Sequence, residues 1–251
     1  MRTDRSAVEL SVHPLVSLIH KENLGDPHPV FAGGERYVSH RYTGDAEREL
    51  RAELADAGLA DRDQLADFTG MLATIQRART EFYGWATGND DTYGVLAAAH
   101  GRSAFALRRH GDRVVFQRAN ADRLADALLE QLPDVPPARG ESLSVREQEI
   151  NSSAPRPVLR RSSGPVRSEQ ARRLDTLLRT PRNGGAKLYA ARRDEAGNRI
   201  RSRTWLDLID LPDGRWAIHL TVNRGERTIN AAPATPALVA ARFIELLRTA
   251  D

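Results

Sequence analysis

Histidines, a run of aspartates and pairs of glycines are the places where this sequence could hold chemistry. Seven histidines invite a metal or acid–base reading. His13 and His20 can share one helix face, but no HExxH pattern and no third ligand accompanies them, so they read as structural or surface residues. Asp207, Asp210 and Asp213 are three apart, yet they fall on a strand and its turn rather than on one helix face. Asp213-Gly214 is first of all a hairpin turn. Gly33-Gly34 and Gly184-Gly185 are bare pairs that suit turns, and no GxSxG elbow, P-loop or GxGxxG occurs. The sequon Asn151-Ser-Ser153 reads as chance. The chain has no cysteine, which removes disulfides, thiolate metal sites and thiol nucleophiles together. The expectation is a non-enzyme with no metal and no cofactor.

Charge and composition narrow the class further. With 251 residues, 40% hydrophobic and 28% charged, the chain is long and apolar enough to bury a sizeable core. No apolar run approaches a membrane span, and no signal-peptide core follows Met1-Arg2, so the expected address is the cytoplasm. Arg139 to Arg173 carries eight arginines against four glutamates, a surplus of four, whereas the whole chain has a surplus of three. The basic excess therefore sits in one stretch that also holds Pro155, Pro157, Pro165 and Ser162-Ser163, the composition of a solvated connector. A nucleic-acid or regulatory module using that basic connector is the alternative reading. The helix pair around Gly58 argues against DNA: Asp45 to Asp67 holds eight acids and three arginines, the wrong sign for phosphates.

The elements that would position any site form two similar series. Val8–Val12 alternates like a strand, and Leu15, Val16, Leu18 and Ile19 suggest a helix ending near Gly25. A helix from Asp45 stops at Gly58, and a second places Leu65, Phe68, Leu72 and Ile75 on one face. Phe82–Thr87, Thr92–Ala99, Ser103–Arg108 and Arg113–Arg118 read as strands, closed by a helix from Asp122. After a short helix with Leu174, Leu177 and Leu178, strands follow at Lys187–Arg193, Arg199–Asp210, Arg215–Val222 and Arg227–Ala231. Thr235-Pro236 then caps a last helix. Its Leu238, Phe243 and Leu246 lie 114 positions after Leu124, Leu129 and Leu132. The fold class expected is α+β, a single unit over 1–251. Its halves, 1–132 and 169–251, share one antiparallel sheet and are joined by a Pro/Ser/Arg-rich connector at 133–168. The part from Glu141 to Ser168 is expected to be mobile and dispensable for folding, with first proteolytic cuts near Arg156, Arg160 or Arg161.

Several stretches resemble the EspG family, proteins associated with actinobacterial type VII (ESX) secretion. They are Ala7-Val-Glu-Leu-Ser-Val12, Val135-Pro-Pro-Ala-Arg139, Leu208-Ile-Asp210 through Asp213-Gly-Arg215, and Ala232-Pro-Ala-Thr-Pro236 with its helix. The resemblance implies a cytosolic secretion chaperone with a central antiparallel sheet, two helical bundles and pseudo-twofold halves. It also implies a PE/PPE-like or other helical ESX substrate as partner, kept soluble before export. In mycobacterial members a long loop between two first-half strands helps grip the substrate; here Ala98-Ala-His-Gly-Arg102 is a tight turn. Binding is then expected on sheet faces and turns, with His100, Arg102, Trp205, Asp207 and His219 as candidate contacts.

Overall fold

Short β-prone runs joined by tight turns pair first with their neighbours, and pairings between distant strands then complete the sheet. The computed structural model describes residues 7–34, 43–88, 91–151 and 168–250. In chain order the first elements are β1 (Val8–Ser11), α1 (Val12–Lys21), a 3-10 turn at Pro29–Phe31, α2 (Thr43–Asp56) and α3 (Arg62–Gln76). A meander follows, β2 (Thr80–Gly88), β3 (Asp91–His100), β4 (Ser103–His110) and β5 (Arg113–Ala119), closed by α4 (Leu124–Leu129). Then come β6 (Leu143–Arg146), α5 (Glu147–Asn151), α6 (Glu169–Arg179), β7 (Gly184–Arg193), β8 (Arg199–Arg201) and β9 (Leu206–Leu211). The chain ends with β10 (Gly214–Asn223), β11 (Glu226–Pro233) and α7 (Pro236–Arg248).

All these strands join one antiparallel sheet in the order β1-β5-β4-β3-β2-β7-β9-β10-β11-β6, with β8 pairing β7 off this path. The order is the same read from either end. Each half opens with a short strand that later returns to flank the last strand of its own meander. The halves meet where β2 pairs β7, with Tyr83 opposite Tyr189. The repeat is therefore present, with the same strand order and direction in both halves.

Alternation along the strands sends side chains to two covered faces. On one face Phe82, Val95, Ala97, Leu188, Leu208 and Ala217 share a core with Leu128 of α4 and Phe243 of α7, and Phe82 stacks on Phe243 at 4.2 Å. The opposite face has two separate cores. One lies under α1, α2 and α3, where Leu72 and Ile75 meet Leu96, Leu107 and Phe116. The other lies under α6, where Leu174 and Leu177 meet Ile209, Trp216 and Ile218. Burying one such Leu, Ile or Phe is worth roughly 1.5–3 kcal/mol, so these cores dominate stability.

Helix ends follow local chemistry. Gly58 takes φ +77° after α2, and the Asp61 carboxylate accepts from Asp63 N at 2.8 Å to start α3. Thr235 Oγ1 accepts from Leu238 N at 3.2 Å, with Pro236 in the first turn of α7.

Two expectations need correction. The stretch Glu141–Ser168 is not uniformly a mobile connector: Leu143–Arg146 forms β6, paired to Ala231–Thr228 of β11, with Leu143 and Val145 buried. Alternating Leu-Ser-Val-Arg finds an open sheet edge there, and burial of two apolar side chains offsets the charge around them. The second half thus begins at β6, as the first begins at β1. The proteolytic sites Arg156, Arg160 and Arg161, and the prolines Pro155, Pro157 and Pro165, lie outside the described residues. The single strand expected over Arg199–Asp210 is interrupted between β8 and β9.

Candidate functional site

That interruption is a bulge, and it builds the exposed surface of the sheet. Ala191 pairs Arg201 and Leu188 pairs Leu206, so the two residues Tyr189 and Ala190 face the four residues Ser202 to Trp205. Ser202 closes the gap from a buried position. Its N–H donates to Ala190 O at 2.7 Å, and its hydroxyl accepts from Ala190 N at 3.2 Å while donating to Thr204 O at 2.8 Å. Bulges re-aim side chains. Here Trp205 turns outward, 41% exposed, and its Nε1 donates to Asp207 Oδ2 at 2.7 Å.

Trp205 joins an aromatic strip along the seam of the two halves, on the face left between α1–α3 and α6. Tyr83 stacks on Tyr189 at 5.6 Å, Trp85 packs edge-on to Tyr83 at 5.9 Å, and Tyr189 lies 6.4 Å from Trp205. Trp85 is 40% exposed. Cations stand on these rings: Lys187 Nζ is 4.3 Å from the Trp205 ring centre, and Arg201 is 4.9 Å from that of Tyr189. Beside them a hollow of about 450 Å³ is lined by Trp85, Arg182, Gly185, Lys187 and Asp207. Its floor is bare backbone, because a Cβ at Gly185 would meet Leu208 O at 2.3 Å. At Gly84 a Cβ would meet Lys187 O at 2.0 Å, so only glycine lets β2 and β7 approach under the strip.

A buried ionic cluster drawn from both halves flanks the strip. Glu81 is buried and accepts from Arg199 Nε and from His28 Nε2, the latter at 3.3 Å. His28 Nδ1 accepts from Val30 N at 3.1 Å, which places the imidazole proton on Nε2, facing Glu81. Burial drives the His28 pKa below 6.5, against the pull of the Glu81 hydrogen bond and charge. Burial alone would raise Glu81, but His28 and then Arg199 hold it below the ordinary carboxylate value. Arg199 also lies 4.6 Å from the Tyr83 ring centre, linking the cluster to the strip.

The five residues singled out from sequence are distributed over three places. Trp205 and Asp207 lie in the strip; burial raises the Asp207 pKa, opposed by the Trp205 hydrogen bond and then by Lys187 and Arg182. His100 and Arg102 belong to the β3–β4 turn, where His100 Nδ1 donates to Arg77 O at 2.8 Å. His219 lies on the other sheet face toward α7. Burial and then Arg242 lower its pKa to about 4, opposed by Glu245. The candidate acids separate as well. Asp210 is buried and receives Arg215 Nε at 2.6 Å and Nη2 at 2.9 Å, while Asp213 accepts from Trp216 Nε1 at 3.3 Å. Among the described residues no group of three His, Asp or Glu side chains could hold a metal ion. No helix among them is long and apolar enough to cross a membrane.

Trp85, Lys187, Tyr189 and Arg201 went unmarked in the sequence. Aromatics at Tyr83 and Trp85 were the available signal. Alternation in a sheet covered on both faces does not show which aromatic stays uncovered.

The fold and this surface define a class: a duplicated α+β protein whose exposed chemistry is an aromatic, cation-bearing sheet surface. The EspG family model matches residues 11–243, and the chain belongs to the EspG family. Among solved structures it is similar to the Mycobacterium tuberculosis type VII secretion system chaperone EspG5, solved in complex with a PE25–PPE41 dimer. The similarity has a TM-score of 0.63 at 16% identity, covering 98% of this chain and 97% of that one. No curated protein matches the chain.

Proposed function

We propose that this protein is a cytoplasmic, non-enzymatic secretion chaperone that binds a PE/PPE-like or other helical type VII (ESX) substrate and keeps it soluble before export. The observation that carries the reading is the aromatic strip of Trp85, Tyr189 and Trp205, left open on a face whose flanks are covered by helices. An open aromatic surface between two helical walls suits a partner's apolar tip, and tryptophan and tyrosine are the side chains that most often dominate such contacts. Membership of the EspG family and the likeness to EspG5, which its solved complex shows with PE25–PPE41, support the same reading. Trp205 and Asp207 belong to the proposed contact, together with Trp85, Lys187 and Tyr189. His100, Arg102 and His219 lie outside it.

The test is co-expression with a tagged helical substrate pair of the PE/PPE type. Trp85→Ala with Trp205→Ala should abolish co-purification while leaving the thermal midpoint of the free protein unchanged within a few degrees, since neither ring belongs to any of the three apolar cores. Unchanged co-purification would refute the strip as the docking site.

A further inference from the structure

We infer that the strip selects an apolar partner tip flanked by carboxylates, so that acidic residues, not apolarity alone, decide which helical proteins dock. This rests on the docking reading above and adds a partner chemistry to it. Arg182 and Lys187 line the hollow beside Trp85, and Arg201 stands on Tyr189. Among the described residues none of these three cations forms an ion pair. Among the described residues Asp207 is the one carboxylate lining the hollow, and its Oδ2 already accepts from Trp205 Nε1. Arg203, exposed on the bulge itself, adds a further positive charge nearby.

Desolvation makes this charge selective. A neutral tip that covered the rings would also cover three cations and leave them with little water and only Asp207, already engaged by Trp205, as counter-charge, which is costly. A basic tip would add repulsion. Carboxylates beside the tip would meet Lys187 and Arg201 already held in place by the rings beneath them, so little freedom of these two side chains is lost on pairing. The same charges would speed encounter at low salt.

Two synthetic helical hairpins with the same Leu-Leu-Phe loop, one flanked by glutamates and one by lysines, provide the probe. Each is fluorescently labelled and titrated with the full chain, reading anisotropy. The acidic hairpin should bind at least about tenfold more tightly at about 50 mM salt, and the ratio should shrink at about 500 mM as screening shortens the reach of the charges. Lys187→Glu with Arg201→Glu should reverse the preference. The salt dependence of the unmodified chain tests the idea should that variant fold poorly. Equal affinities at low salt, with binding lost in Trp85→Ala/Trp205→Ala, would overturn charge selection and leave docking intact. Absence of binding by either hairpin would overturn both.

Discussion

The two halves of the sheet follow one plan, and they differ where the strip is built. In the first half β3 runs unbroken from Asp91 to His100. In the second, the corresponding stretch is split by the Ser202–Trp205 bulge, which presents Trp205. The hairpins that follow differ too. Counting back from the turn, Ala99 pairs Ala104 in the first half, and Asp210 pairs Arg215 in the second. The alanines are buried without polar obligations. The ion pair instead lets Arg215 reach Pro133 O at 3.1 Å and tie down the chain that links the halves. Strand order and the positions of the closing helices repeat, and these carry the shared cores. Departures from the repeat carry exposed aromatics and charges.

The largest effect expected from this comparison comes from Arg215→Ala. It strands the Asp210 carboxylate in the interior, and breaking such a buried pair costs about 3–5 kcal/mol. Adding Asp210→Ala should recover a good part of that loss by recreating the alanine pair of the first half. Chemical denaturation of both variants measures this, and a double variant no better than the single would break the equivalence.

Next is Leu143→Ala, expected to cost about 2–5 kcal/mol because Leu143 is buried in the core under α6. Leu10→Ala in the equivalent edge strand β1 should cost a similar amount, since Leu10 is also fully buried. A negligible loss for Leu143 alone, in urea titrations, would restore the dispensable connector.

Ser202→Ala should cost about 1–2 kcal/mol, because the buried Ala190 N–H loses the hydroxyl that accepts it. Its tryptophan emission should shift as Trp205 changes exposure, while the unbroken strand β3 keeps its slow amide hydrogen exchange. An unchanged spectrum would mean the bulge holds without that hydroxyl.

The last effect is set by pH. His219 has a pKa of about 4 in the folded protein and an ordinary value of 6.5, so between the two the unfolded chain takes up the proton more readily. Its contribution to stability is complete above about pH 6.5 and is lost as pH falls toward 4. His219→Leu should therefore lose less stability than the unmodified chain when denaturation is compared at the two ends of that window. Parallel curves would show that His219 is hydrated in the fold.

Much of the plan was legible along the chain, because each signal is local. Thr235-Pro236 announces α7, Gly58 ends α2, and period-two runs mark β2 to β5. The shift between Leu124 and Leu238 exposed the duplication because paired helices must present apolar faces to one shared core. β6 was hidden for a physical reason: Leu143-Ser-Val-Arg146 is too short to declare itself against its charged surroundings and becomes a strand when β11 offers an edge. Of the five candidate contacts, only Trp205 and Asp207 come together in the strip, because the bulge turns Trp205 outward to where its Nε1 meets the Asp207 carboxylate at the start of β9.

Sequence by itself therefore determined most of the elements, their order, the duplicated plan and the absence of GxSxG, P-loop and GxGxxG motifs, all of which depend on neighbours in the chain, while β6 and the break between β8 and β9 were not among them. Tertiary structure decided which aromatics stay open. Trp85 and Trp205 are exposed while Trp216 is buried, although all three lie on or beside strands of one sheet. The cause is coverage: α6 lies over Trp216, the bulge pushes Trp205 outward, and the seam between β2 and β7 falls between the two groups of helices. Pairing of β2 with β7 brings together Tyr83 and Tyr189, residues 106 positions apart, and contact at that separation is fixed only when the sheet closes.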